Sequence, residues 1–206
     1  PSGSAIWHLG MSGRVLIVDR DTPAGVHDHV DIDFDSGKTL RFRDPRRFGS
    51  LHWSRAPLKH KLLKSLGPEP LSEAFSGEYL HAKSRGRRVS IKQFIMNAQV
   101  VVGVGNIYAS EALYLACINP RRAAGRVSLA RYELLASAIK DVLSKAIAAG
   151  GTTLRDFYGG DGEAGYFQQQ LEAYGRTDEP CRRCNTPITL VVQGQRSTYY
   201  CKQCQT

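Results

Sequence analysis

Four cysteines carry the most explicit chemistry in this chain. Cys181 and Cys184 form one Cys-x-x-Cys pair and Cys201 and Cys204 a second, with sixteen residues between the pairs. Each pair sets two thiolates on one turn, and two such turns complete a tetrahedral zinc site. Two disulfides or a chance arrangement are the plainer readings; the paired spacing favours one structural Zn(2+). Four sulfur ligands leave no open coordination position, so this metal holds a fold and does no chemistry itself. Between the pairs, Ile188, Leu190 and Val192 alternate, Gly194 supplies a turn, and residues 196–200 return as a second strand. That hairpin puts Arg196 near its tip. The fifth cysteine, Cys117, lies in the apolar stretch from Leu113 to Ile118 and reads as a small buried hydrophobe.

Three other stretches have residue types suited to anions or bases. In Val102-Gly103-Val104-Gly105-Asn106, the two glycines let backbone amides approach a ligand, and a helix opening at Asn106 points its N-terminus there. An ordinary packing loop whose glycines only permit close approach explains the same residues equally well. A dinucleotide fingerprint is excluded, because the third glycine, the preceding strand and the acidic follower are absent. Asp44-Pro45-Arg46-Arg47-Phe48-Gly49 offers an aromatic wedge beside two guanidinium groups. Taken alone, it reads more simply as a strand end with Phe48 in the core. Met11, in His8-Leu9-Gly10-Met11-Ser12-Gly13, reads alone as a core filler in a plain loop.

The elements that must position these residues divide along the chain. Residues 1–56 alternate in the manner of β structure: Val30, Ile32 and Phe34 against Asp31, Asp33 and Asp35, a turn at Ser36-Gly37, then Leu40 and Phe42 against Arg41 and Arg43. This predicts a hairpin with one buried apolar face, preceded by a strand over 14–18. Residues 57–175 are helical in pattern. A short helix is expected over 58–66, one capped by Ser72 toward His81, one capped by Ser90, one opening at Asn106, and a long one after Ser128. The long helix carries the stripe Leu135, Ile139, Val142, Leu143 and Ala146. A glycine-rich loop at 159–165 follows, and residues 176–206 form the ribbon. The fold class is therefore α+β: a partial N-terminal β-sandwich, a helical bundle and a zinc-ribbon hairpin.

Charge points to a polyanion. The 206 residues carry 28 Lys and Arg against 19 Asp and Glu, a net charge of +9. Between Glu78 and Glu111 there is no acid, while Lys83, Arg85, Arg87, Arg88 and Lys92 all fall there; after Glu179 the chain carries Arg182, Arg183, Arg196 and Lys202 and again no acid. Such segments displace counterions from phosphates, although solvated faces opposed by distant acids give the same count. No run of about 18 apolar residues exists to span a membrane. No secretory leader is read, and the cysteines fit a reducing compartment.

In order along the chain, these pieces resemble bacterial formamidopyrimidine-DNA glycosylase, the 8-oxoguanine repair family. The resemblance rests on His-Leu-Gly-Met-Ser-Gly at 8–13, Asp-Pro-Arg-Arg-Phe-Gly at 44–49, Leu-Gly-Pro-Glu-Pro-Leu at 66–71, Gly-Val-Gly-Asn-Ile-Tyr-Ala-Ser-Glu at 103–111, Gly-Gly-Thr-Thr-Leu at 150–154 and the ribbon. Met11 and the Arg-Arg-Phe run distinguish it from the endonuclease VIII branch. The resemblance implies a β-sandwich and a helix-two-turn-helix domain with a zinc finger, gripping duplex DNA that contains an oxidised purine or abasic site. The damaged base is flipped out and excised through a Schiff base and β,δ-elimination. Met11, Arg46 and Phe48 would fill the gap, with Arg46 on the orphaned cytosine. His27, Arg88, Asn106 and Arg196 would hold phosphates, and Arg196 is the position assigned to δ-elimination. Lys92 would approach the lesion, and the glycine-rich loop after Asp156 would cap it. The family nucleophile is an N-terminal proline followed by glutamate. Here Pro1 is followed by Ser2, so Pro1 reads as an internal family position and the catalytic head as not represented. A monomer acting in the bacterial cytoplasm at the nucleoid is expected. The alternative is a non-catalytic, zinc-stapled module that binds damaged or bent DNA; a zinc-stapled RNA binder is a weaker third reading.

Overall fold

The computed structural model describes residues 2–150 and 171–206. The glycine-rich loop at 159–165, the Asp156 position and all of the 150–154 motif but Gly150 lie outside the described residues. The described residues form two compact units, 2–64 with 149–150, and 65–148 with 171–206.

The first unit is built from antiparallel strands. β1 (Ser4–His8) pairs with β5 (Ser50–Ser54). β2 (Arg14–Asp19), β3 (Asp28–Asp33) and β4 (Lys38–Arg43) form a three-stranded sheet in the order β2-β4-β3. The expected hairpin is present, but its buried face is not the simple apolar one. Phe42 is buried and meets Trp7 edge-on at 5.3 Å. Ile17, Leu40 and Ile32 stand opposite one another across the sheet, yet Ile17 is 58% exposed and Ile32 37%. On the other face Arg41 is only 2% exposed.

Arg41 is buried because its donors are used. It makes a two-pronged contact with the Asp31 carboxylate at 2.8 and 2.9 Å, and donates to the carbonyls of Thr22 and Pro23 at 2.9 Å each. A guanidinium with its donors satisfied in a fork geometry is the form of charge that tolerates burial. The loop between β2 and β3 is thereby fastened over the sheet. Asp28 supports the same cluster from Arg43, 2.6 Å away, and the Arg43 hydrogen bond holds its carboxyl down at about 2.

The second unit is helical. α1 (Gly77–Ser84) is capped by Ser76, whose hydroxyl accepts from the Tyr79 amide. The expected cap, Ser72, instead donates to the Glu69 carbonyl in a turn. In the first unit, the helix expected over 58–66 is reduced to a single 3-10 turn at Pro57–Lys59. α2 (Ile91–Ile95) is capped by Ser90, and α3 (Asn106–Leu115) opens at Asn106, both as expected. α4 (Leu129–Ala148) buries the whole predicted stripe from Leu135 to Ala146. It ends before Gly150, which takes the left-handed φ of 72°. β6 (Thr189–Gln193) and β7 (Arg196–Tyr200) form the ribbon hairpin. No helix is long and apolar enough to cross a membrane among the described residues.

The Asp28 contacts predict an acid limit for the first unit. An aspartate held below its unfolded value stabilises the fold above about pH 4. That contribution disappears as pH falls through about 2. Acid titration followed by tryptophan fluorescence should show the first unit loosening over that window, and Asp28→Asn should remove the dependence. An unchanged acid midpoint in the variant would show that Asp28 does not set it.

Candidate nucleic-acid interface and metal centre

Two loops of the first unit hold the insertion candidates. Met11 is 54% exposed and Phe48 62% exposed, and Arg46 is also on the surface. Neither apolar side chain fills the core, as each motif taken alone had implied. Asp44 pins the loops together. Its carboxylate is buried at 1% exposure, accepts from the Ser12 hydroxyl at 2.7 Å and from the Gly49 amide at 2.7 Å. Ser12 in turn accepts from the Arg46 amide. His27, itself exposed, joins through its carbonyl, which accepts from the Asp44 amide at 2.9 Å. The Gly49 amide first, then Ser12, hold the Asp44 carboxyl below the usual carboxylate range. Gly10 sits at φ 63° with its backbone against Phe48: a Cβ there would come within 2.7 Å of the Phe48 carbonyl carbon. The loops meet through backbone, and the three side chains are left outside.

In the second unit, the two readings of the 103–106 loop can now be separated. If the glycines served packing, an added Cβ would strike a neighbour. At Gly105 it meets nothing within 4 Å, and at Gly103 only Pro70 at 3.9 Å. Gly103 is needed for its φ of 76° and Gly105 leaves open space at the start of α3. No side chain caps that helix, so its positive end is available to an anion. Asn106 Nδ2 lies 3.3 Å from the Tyr174 hydroxyl, while the buried Oδ1 has no partner. Rotating the amide by half a turn lets Tyr174 donate to Oδ1 and leaves Nδ2 as a donor without a partner at the start of α3.

Sequence reasoning missed the group that places Tyr174. The Glu111 carboxylate is 3% exposed and accepts from the amides of Glu172, Ala173 and Tyr174 at 2.7–3.0 Å. Burial pushes its carboxyl up, against the pull of those amides. The signal available was an acid inside the apolar run of α3, a position an acid rarely takes unpaired. Tyr174 also packs on Tyr199 of β7, ring centroids 4.7 Å apart.

Arg196 is exposed at the first residue of β7, after the turn at Gly194 and Gln195. Arg88 is exposed in the loop before α2. Lys92 departs from expectation. It is 1% exposed, and its ammonium donates to the Ser197 carbonyl and the Thr198 hydroxyl, both at 2.8 Å. Its amine is spent on holding β7, so Lys92 braces the strand that bears Arg196. Burial, and then Arg196, bring its pKa down to about 8. Cys117 departs too: it is half-buried at φ 56°, and its sulfur accepts from Arg183 at 2.8 Å.

The four ribbon sulfurs fit a metal. They lie within 4.8 Å of one another, with Cys181 to Cys204 at 3.9 Å and Cys184 to Cys201 at 3.4 Å. Bonds near 2.3 Å in a tetrahedron require sulfur separations of about 3.8 Å. A zinc ion held by Cys181, Cys184, Cys201 and Cys204 would supply structural cross-linking. The cluster is anchored to α3: Tyr114 is buried with Cys181, Ile188 and Cys201, and its hydroxyl lies 3.2 Å from the Cys181 sulfur.

Fold and site together define a strand-and-helix chain with a four-cysteine ribbon suited to a metal and with Met11, Arg46 and Phe48 exposed on two loops. Comparison with known proteins gives the family. The Formamidopyrimidine-DNA glycosylase N-terminal domain matches residues 2–51, the H2TH domain of the same family residues 66–158, and a zinc finger found in FPG and IleRS residues 178–206. The formamidopyrimidine-DNA glycosylase of Alcanivorax borkumensis is 58% identical over 98% of this chain and 76% of its own length; that of Nitrosococcus oceani is 58% identical over 98% and 75%. Among solved structures, the MutM (Fpg) protein of Thermus thermophilus has a TM-score of 0.87 at 35% identity, covering 99% of this chain and 76% of that one. Lactococcus lactis Fpg with DNA containing an abasic site has a TM-score of 0.86 at 34% identity, covering 98% and 74%. The chain belongs to the formamidopyrimidine-DNA glycosylase family.

Two outcomes follow from this geometry. Zinc stripped by a chelator should unfasten the 196–200 strand and lose DNA affinity before α1 to α4 melt, read as circular dichroism against fluorescence anisotropy; affinity that survives with the ribbon unfolded would disprove the role given to the metal. Asp44→Ala should make the chain after Arg46 and Arg47 markedly more sensitive to trypsin, with zinc content unchanged. Equal cleavage rates would mean that Asp44 does not hold the loops.

Proposed function

We propose that this protein serves base-excision DNA repair, as a glycosylase and abasic-site lyase acting on oxidised purines such as 8-oxoguanine and formamidopyrimidines. The observation that carries this reading is the joint presentation of Met11, Arg46 and Phe48, exposed on two loops pinned by Asp44. The bacterial relatives and the DNA-bound Lactococcus structure support it. Its place of action would be the bacterial nucleoid, in the cytoplasm.

A base must leave the duplex to be excised, and the stack then has a gap. Phe48 and Met11 offer apolar surface to occupy it, at an unstacking cost of about a few kcal/mol per step. Arg46 offers paired N–H donors, which match the two acceptors, O2 and N3, of an orphaned cytosine. The open start of α3 with Asn106, and Arg196 on the braced hairpin, supply donors for phosphates flanking the flipped nucleotide; His27 and Arg88 are assigned further phosphates on the family resemblance. Arg196 is assigned the second elimination on the same ground.

The test is DNA binding by this polypeptide. Duplex carrying 8-oxoguanine or an abasic analogue should bind more tightly than undamaged duplex of the same sequence. Phe48→Ala should reduce that ratio more than it reduces binding to undamaged DNA. Arg46→Ala should weaken discrimination of cytosine opposite the lesion by about 1–3 kcal/mol; equal losses for every opposite base would remove Arg46 from that role.

A further inference from the structure

Outside the residues just assigned, the second unit carries an arginine surface with no explained role. Loops 85–90 and 119–126 are joined by an antiparallel bridge between Ser90 and Ala123. Gly125 donates to the Arg87 carbonyl, Ala124 to Val89 at 2.9 Å, and Ile91 to Arg122 at 2.7 Å. The approach is close: a Cβ at Gly125 would lie 3.0 Å from the Arg87 carbonyl oxygen. Two loops bonded in this way form one rigid platform. Arg121, Arg122 and Arg126 stand exposed on one loop, and Arg87 and Arg88 on the other. Among the described residues, none of these five makes an ion pair.

Neighbouring Arg131 has its pKa brought down by burial and then by the charge of Arg122, and it turns away to donate to the carbonyls of Cys117 and Thr206. Arg121, Arg122 and Arg126 line a concavity of about 590 Å³ with Asn119, Ala123 and Thr206. Their side chains are solvated and spread over a platform, with no buried donor converging on one point. That arrangement suits a row of phosphates and not a single small anion. The platform is also continuous with the proposed DNA contacts. The Lys92 amide donates to the Pro120 carbonyl, and its ammonium reaches Ser197, the neighbour of Arg196. One lysine residue therefore spans the distance from the platform to the hairpin.

We infer that Arg121, Arg122 and Arg126 form a second phosphate-contacting surface that extends the duplex footprint beyond the lesion. This rests on the DNA-binding reading above, and its test is separable from it. The triple variant Arg121→Gln, Arg122→Gln, Arg126→Gln is compared with the parent on two lesion-containing duplexes, one of roughly one helical turn and one of roughly three, across a salt series. Each lost phosphate contact lowers the slope of log K against log salt by about 0.9. On the long duplex the variant should lose about 2–3 units of slope, and about tenfold or more in affinity at low salt. On the short duplex it should match the parent. The Arg→Lys triple variant should keep the parent slope, which separates loss of charge from loss of fold, and zinc content should be equal in all three. An unchanged slope on the long duplex overturns the inference and leaves the platform to an acidic protein surface. Equal loss on both duplexes overturns it as well, since the contact then lies at the lesion. Failure of the parent to prefer lesion-bearing DNA is a different result and bears on the repair reading alone.

Discussion

Glu111 places a carboxylate between α3 and the segment that leads into the ribbon, where an unpaired charge would carry a desolvation cost of several kcal/mol. The amides of residues 172–174 close over its two oxygens, and most of the second unit is organised by that closure. It fixes Tyr174, whose hydroxyl meets Asn106 at the open start of the same helix. It also fixes the ring that Tyr199 packs against, and so one side of β7. Lys92 holds β7 from another direction, through Ser197 and Thr198. Asn106 at the helix start and Arg196 at the hairpin tip are thus set relative to one another by bonds within one compact unit. A metal on the four cysteines would secure the far end of that hairpin and could not by itself orient its tip.

The first unit solves a similar problem with different residues. Exposed apolar side chains such as Met11 and Phe48 gain nothing from staying out of the core, and a loop left to itself would fold them in. Asp44 prevents this by taking the inward position and bonding both loops from below. Arg41 does the equivalent for the loop between β2 and β3. In both cases a buried charge is satisfied mainly by loop backbone or by an adjacent strand. Such contacts specify loop geometry more than they add net stability, because their Coulomb gain is set against desolvation.

What was legible in the sequence was local. The ribbon hairpin, the Ser90 cap, the opening of α3 and the buried stripe of α4 each depend on residues a few positions apart, where spacing alone carries the information. What was not legible depends on distant partners. Ser72 and Ser76 are equivalent cap candidates by type, and tertiary packing selects Ser76. Arg41 looked solvent-facing because strand alternation cannot show that a loop will cover that face. Lys92 looked like a ligand contact because its acceptors, Ser197 and Thr198, lie more than a hundred residues away. Which of the motif residues point outward, and which brace the others, was decided by contacts that no spacing expresses.

The surface charge has a related origin. A formal charge of +9 among 47 ionisable acids and bases would be modest if every acid faced outward among the cations (28 Lys and Arg, 19 Asp and Glu). Instead Asp28, Asp44 and Glu111 have their side chains withdrawn from solvent and bonded internally. Apart from Asp28, which meets Arg41 and Arg43, these acids spend their lone pairs on backbone amides and a hydroxyl, leaving arginines elsewhere without partners. Arg46, Arg88, Arg121, Arg122, Arg126 and Arg196 are all exposed, and none has an ion-pair partner among the described residues. The acids that shape the loops are therefore unavailable to neutralise the surface, and the same folding contacts that position the site leave the cations for a polyanion to pair.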